Sequence, residues 1–442
     1  MRSRWREPTS SGIDPDLESP ALGAPRVRLH GWRHPAILSA ALMGVAAGFG
    51  QFGATAALGD VAAAFGETGP GGSLGEQVGL TLTTLGIGLA VIRLASIASM
   101  PLAALADRVG RRRVILSCCL SGLALTAVAA FSPSFWWFVA IFALGRPLLS
   151  TTNALAVVIA AEETRTADRA KAVALLAASY GVGAGLATVV RGIWGLGFRP
   201  LFALAIVPLV LVAMTSRRVE EPDRFARLRP RDAAVTAAMA RPGWVPPAVR
   251  PRLVLLACLG FFSFSFVIGP VTTLLFLYAE SVLGFSKAMT SVIVLCAGPL
   301  GLAGLLAGRW AADKLGRIPT VIAAHAGVAI SGAITYTTGS VGAVAGYLVY
   351  LFAQAAFGTA MGALSVELFP TSTRGTAAGW LNAAGVLGAV FGLVTFGLLV
   401  DAFGTFGPAA LAVTIPMALA SFGYLRLPET RGLELEQSAP EQ

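Results

Sequence analysis

The sequence is short of charge. Asp, Glu, Lys and Arg make up 13% of its 442 residues, against roughly 25% in an ordinary soluble domain. Hydrophobic residues reach 55%, and mean hydropathy is +0.74. Helices of this composition have no polar face to turn to water, which excludes a soluble globular fold and indicates a polytopic membrane protein. Lysine is nearly missing, with only Lys171, Lys287 and Lys314 among 33 cations. The four cysteines, Cys118, Cys119, Cys258 and Cys296, all lie in apolar stretches. They offer neither a disulfide framework nor CxxC metal spacing, and are expected to be small buried hydrophobes. His30, His34 and His325 are too scattered to make a metal site. There is no GxxxxGK[ST], no HExxH and no Ser-His-Asp set in a soluble domain. ATP-driven transport, enzymatic catalysis and a bound cofactor are therefore not expected. The first 33 residues are polar and Arg-rich, without an apolar signal core or small-residue cleavage site, and read as a disordered cytoplasmic tail. The net charge of +10 does not mark a nucleic-acid binder, because the cations sit in short connectors and tails rather than along one face.

What the chain has in abundance is long apolar runs. A spanning helix needs about 20 mostly apolar residues. Runs of that kind cover 36–57, 79–105, 113–132, 135–161, 170–190 and 199–216, then 252–278, 289–312, 318–338, 343–366, 374–399 and 405–425. They are too long for barrel strands, and backbone groups in lipid must be satisfied internally, so helices are the expected form. The fold class is all-α: twelve transmembrane helices in two six-helix halves. The expected organisation is a tail over 1–33, a first half over 34–216, a polar central loop over 217–251, a second half over 252–425 and a tail over 426–442. Arg and Lys set the orientation. With the N-terminus inside, the outer loops hold only Arg191, Arg199 and Lys287 as cations, so both termini are expected in the cytoplasm. Heavy use of Ala, Gly and Arg suggests a GC-rich bacterial genome, and hence a bacterial inner membrane.

A charged hairpin, Asp107-Arg108-Val109-Gly110-Arg111-Arg112-Arg113, separates two of the runs. A weaker copy, Asp313-Lys314-Leu315-Gly316-Arg317, follows 206 residues later (313 − 107). Glu162 and Arg169 recur as Glu367 and Arg374 at an offset of 205 (367 − 162, 374 − 169). Two unrelated motifs at nearly one spacing indicate an internal duplication. An acid such as Asp107 at a helix end can interact with the positive N-terminal end of a neighbouring helix. Arg108 and Arg111 can pair with carboxylates or lipid phosphates, and Gly110 permits a tight turn.

These features resemble the major facilitator superfamily. Its hairpin motif is matched here by Leu105, Ala106, Asp107, Arg108, Gly110, Arg111 and Arg112, with Ala103 in place of a leading Gly. The second copy keeps Asp313, Gly316 and Arg317. Glu367-Leu368-Phe369-Pro370 with Arg374, Gly145-Arg146 and Pro428-Glu429-Thr430-Arg431-Gly432 resemble the sugar-porter and organic-ion branches. The resemblance implies a cytoplasmic gate built from Asp107, Arg108, Gly110 and Arg111, their copies Asp313, Gly316 and Arg317, and the ion-pairing set Glu162, Arg169, Glu367 and Arg374. It also implies a monomer.

Arg146 is the sharpest candidate for substrate contact. It lies about ten residues into its span, about 15 Å deep at 1.5 Å per residue. An Arg there costs at least about 2.5 kcal/mol, so it should face a cavity or a partner. It either binds an anionic group or braces a polar neighbour. Sugar porters answer this Arg with an Asp in span one, where this chain has Gln51 and no acid. The chain therefore lacks an obvious proton carrier. A facilitator, an exchanger and a symporter whose substrate carries the coupling proton or ion all remain open. Asn153, Tyr180, Gln354, Trp380 and Asn382 are further polar or amphipathic residues inside spans, and are candidates for lining the cavity. Arg93, about 21 Å from Asp107 by helix rise, is placed in the outer half, where it can snorkel. The expected function is alternating-access transport of a small organic anion or sugar-like solute through the bilayer. Efflux of hydrophobic or drug-like compounds is the alternative.

Overall fold

The computed structural model describes residues 31–67, 74–164, 166–218, 247, 249–265 and 269–433. Among these, eleven helices are long and apolar enough to cross a membrane. In chain order they are α1 (Pro35–Ala56), α2 (Leu82–Ala106), α3 (Arg111–Phe131), α4 (Phe135–Ala160), α5 (Ala174–Trp194), α6 (Phe198–Thr215), α8 (Lys287–Lys314), α9 (Arg317–Thr337), α10 (Gly339–Glu367), α11 (Thr376–Phe403) and α12 (Phe406–Arg426). The seventh position, α7, is filled by two shorter pieces, Arg250–Ser263 and Gly269–Leu277. The expected run over 252–278 is helical on both sides of residues 266–268, which lie outside the described residues. With α7 the spans number twelve. The expected N-terminal tail, most of the connector over 217–251 and the last residues of the C-terminal tail lie outside the described residues.

Two glycines make the charged hairpins possible. Gly110 has φ +113° and Gly316 has φ +119°, a region that side-chain-bearing residues rarely enter. Each stands immediately before the helix that follows, with Gly110 alone separating two helices and Leu315 and Gly316 separating the other two. We call the end of the bundle that carries them the hairpin end.

Within the first half, α1 packs tightly on α5. A Cβ at Gly183 would lie 1.9 Å from the Val45 carbonyl oxygen, while at Gly181 and Gly185 it would meet open space. Only one of the three glycines in that run therefore sets the helix spacing. Between the halves, α2 packs on α11 and α5 on α8. Cys118 and Cys119 are buried, but Cys258 and Cys296 are exposed, against the expectation of four buried thiols. An apolar neighbourhood does not imply the interior when the surrounding solvent is itself lipid.

Two local irregularities face each other in the first half. The helix of α2 tightens to a 3-10 turn over Ser96–Ala98, and α4 carries Pro147 in its interior. Thr151 donates its hydroxyl to the Pro147 carbonyl at 2.8 Å and lies 3.4 Å from the Ser99 carbonyl. The hydroxyl thereby ties the two distorted stretches together.

Candidate functional site

At the hairpin end, Arg317 gathers the second copy of the motif. It donates to Asp313 at 2.6 Å and through Nη2 to Glu367 at 2.9 Å. Glu367 also accepts a hydrogen bond from the Thr430 hydroxyl. The neighbouring Glu429 caps α9: its carboxylate accepts the backbone N–H groups of Arg317 at 2.8 Å and Ile318 at 3.0 Å. Burial pushes the Glu429 carboxyl up. The donors Arg317, Ile318, Arg431 and Thr430 outweigh that and hold it below the ordinary value. The segment after α12 is therefore docked onto the hairpin.

Arg374 does not join Glu367. It donates to the Val366 carbonyl at 3.0 Å and the Phe369 carbonyl at 3.3 Å, bracing the turn between α10 and α11. Arg317 and Thr430 take up the Glu367 carboxylate instead. In the first copy, Arg111 is buried, and the side chains of Asp107, Arg108, Glu162 and Arg169 lie outside the described residues.

The opposite end holds a cluster that the duplicated motifs gave no reason to seek. Arg191, only 1% exposed, donates Nε and Nη2 to Asp60 at 2.9 and 2.7 Å. It also donates Nη1 and Nη2 to the two oxygens of Glu280 at 2.6 Å each. Lys287 extends the network, 2.8 Å from Asp60. Asp60 and Arg191 belong to the first half, Glu280 and Lys287 to the second. Glu280 sits on a widened i→i+5 turn over Tyr278–Val282, a form that recurs at functional positions. Nearby, Ser291 of α8 donates to the Thr188 carbonyl of α5 at 2.7 Å. Asp401 of α11 accepts from the N–H groups of Leu82 and Thr83 at the start of α2, at 3.0 and 2.8 Å. Among the described residues, inter-half hydrogen bonds and ion pairs thus gather at this end. The signal in the sequence was one of balance. Arg191 and Lys287, two of the few cations assigned outside, are matched by two acids on the same side.

Between the ends lies Arg146. Its Nε donates to the Ser96 hydroxyl of α2 at 3.0 Å, so a polar neighbour is indeed braced. That bond uses one nitrogen, and the terminal nitrogens make no hydrogen bond to a described residue. Gln51 is buried on α1 and shares a narrow crevice with Arg146, Thr126, Phe142, Gly145 and Leu149. Tyr180 of α5 lies within electrostatic range of Arg146. Asn153 lies seven residues beyond Arg146 on α4 and so on the same face. Gln354 is placed likewise, one turn from Tyr350 on α10. Both are half-buried, whereas Trp380 and Asn382 on α11 are exposed.

Arg93 is not apart from this group. It lies three residues before Ser96, hence one turn away on one face of α2, and within electrostatic range of Arg146, Tyr180 and Tyr350. The expected snorkelling position rested on depth alone. Helical phase turns the side chain inward instead.

Twelve spans in two halves, with a mid-membrane crevice and charged clusters at both ends, define a secondary transporter of small organic solutes, not an enzyme. The sequence matches the model for the Major Facilitator Superfamily over residues 40–353 and 299–442; the chain belongs to that family. A probable 4-methylmuconolactone transporter of Cupriavidus pinatubonensis is 24% identical over 372 residues, covering 81% of this chain and 85% of that protein. A cis,cis-muconate transport protein of Acinetobacter baylyi is 30% identical over 305 residues, covering 66% and 72% respectively. The fold is similar to the inward open conformation of the xylose transporter XylE from E. coli, with a TM-score of 0.72 and 21% identity over 91% of this chain and 98% of that one.

Proposed function

We propose that the chain carries a small organic acid, as its anion, across a bacterial inner membrane by alternating access, with Arg146 holding the anionic group. The observation that carries this reading is the distribution of acids. All 23 Asp and Glu residues lie at span ends, in loops or in tails. No acid is present at mid-membrane to neutralise Arg146, and leaving a buried cation without a counter-charge is expensive. An anionic substrate supplies that charge. The transported compounds named for the two relatives, a muconolactone and muconate, favour an organic acid over a sugar.

The Arg and Lys bias places the hairpin end, and both termini, in the cytoplasm. The ion-paired end then faces outward and is shut, and we take Asn153 and Gln354 as lining the substrate's path between Arg146 and the cytoplasm. The two units, 34–216 and 252–425, rock about that crevice. Asp107, Arg108, Arg111, Glu162 and Arg169 form the first-half counterpart of the Asp313–Arg317–Glu367 cluster, and the two clusters close the cytoplasmic side in the other half of the cycle. With no acid inside the spans, the protein offers no proton carrier of its own, and the anion crosses without a coupling proton. The carrier acts as a monomer.

Uptake of labelled organic acids and of xylose into proteoliposomes, with and without a pH gradient, tests the reading. Acid uptake is expected from the wild type and not from Arg146→Ala. Equal acid uptake by both would overturn the assignment of Arg146.

A further inference from the structure

We propose that Arg93 and Arg146 together form a two-cation site for a dicarboxylate, with one carboxylate on each guanidinium. The inference rests on the organic-anion reading of the mid-membrane crevice and goes beyond it by fixing the charge and the shape of the ligand.

The argument begins with register. Arg146 is bonded to Ser96 at 3.0 Å. Arg93 stands one turn from Ser96 on the same face of α2, about 4.5 Å along the axis at 1.5 Å per residue. Two guanidinium groups from adjoining helices thus converge near Ser96, close enough to repel each other. Both are permanently charged under physiological conditions.

Their partners are the second observation. Arg93 makes no hydrogen bond or ion pair with a described residue, and Arg146 spends only Nε. From residue 77 to 106 and from 108 to 161, the chain has no Asp or Glu. Two like charges at this spacing repel each other. A single carboxylate offsets only one of them. A ligand with two carboxylates offsets both, and each guanidinium fork matches a carboxylate in geometry.

Tyr350 supplies the third observation. It comes from α10, in the other half, and is fully buried, with a hydroxyl that has no hydrogen-bond partner. It lies within electrostatic range of Arg93. A buried hydroxyl left unpaired is costly, and a carboxylate on Arg93 would accept a hydrogen bond from it. The second half thereby gains a direct hold on the same ligand.

The test uses the purified full chain in lipid nanodiscs, with adipate, monomethyl adipate and xylose as probes. The two acids share a backbone and differ by one negative charge. Wild-type protein is expected to bind adipate about ten-fold or more tightly than the monoester. Arg93→Gln should bring that ratio close to one while the monoester still binds, which also shows that the variant is folded. Arg93→Lys should keep part of the preference, because charge survives and the fork is lost. Equal binding of both acids by the wild type would overturn this inference alone, as would an adipate preference unchanged in Arg93→Gln. Binding of xylose with neither acid bound would overturn the organic-anion reading itself.

Discussion

Arg191 on α5 and Glu280 at the end of α7 meet as a two-pronged pair, with each terminal nitrogen 2.6 Å from a carboxylate oxygen. One residue belongs to each half, so the pair exists only while the halves are closed at that end. Asp60 and Lys287 extend it into a network of two cations and two anions whose charges cancel.

Breaking this network should open the closed end. Removing one partner from a largely buried pair leaves the other without a counter-charge, which costs more than the pair contributes when intact. For Glu280→Gln we expect a shift toward the outward-open state of at least about ten-fold, or about 1.4 kcal/mol. The check is the labelling rate of Thr188→Cys, which lies one turn before Arg191, in a background lacking Cys258 and Cys296. An unchanged rate would remove the network from the gate.

Asp401 should act in the same direction and more weakly. It caps the first turn of α2 from the other half of the molecule, where capping side chains contribute about 1 kcal/mol. Asp401→Ala is expected to raise Thr188→Cys labelling several-fold. Asp401→Asn, which still accepts a hydrogen bond, should fall between it and the wild type.

Docking of the segment after α12 should depend on pH through Glu429. Its carboxyl is held below the ordinary value of 4.5, so the docked state gains stability that is fully present above 4.5 and lost as pH falls through the lower bound-state value. A spin label at Leu433→Cys is expected to be immobilised at neutral pH and released in acid below the ordinary carboxylate range. Glu429→Gln should release it at neutral pH. A label immobile throughout would show that the carboxylate does not hold the segment.

The α1–α5 contact should tolerate no side chain at Gly183. A Cβ there would overlap the Val45 carbonyl oxygen, whereas one at Gly181 meets nothing. Gly183→Val is expected to lose about 1–3 kcal/mol or fail to fold, while Gly181→Ala stays near the wild type. Thermal stability followed by size-exclusion chromatography separates the two.

The fold was legible because its cause is one-dimensional. Twenty apolar residues in a row have one outcome in lipid, and the duplicated hairpins gave the symmetry. Arg146 was legible because a charge at mid-span has few uses. Arg93 was misplaced because depth was counted while helical phase was not. The network of Asp60, Arg191, Glu280 and Lys287 comes from four separate segments with no repeated spacing, so only three-dimensional packing assembles it. Glu429 was legible as part of a family-like sequence, but its partners, the first N–H groups of α9, leave no trace in side-chain chemistry.

The two arginines at mid-membrane also make the crevice an electrical element. A permanent cation moved across the whole field exchanges about 2.3 kcal/mol per 100 mV. On the two-cation site proposed above, the unloaded carrier takes two such charges through part of that field on each reorientation, while a carrier loaded with a dianion takes none. An inside-negative membrane therefore holds the unloaded protein facing the cytoplasm and leaves the loaded step indifferent to voltage. Exchange of one anion for another, in which the site never crosses unloaded, becomes the cycle least opposed by the membrane potential.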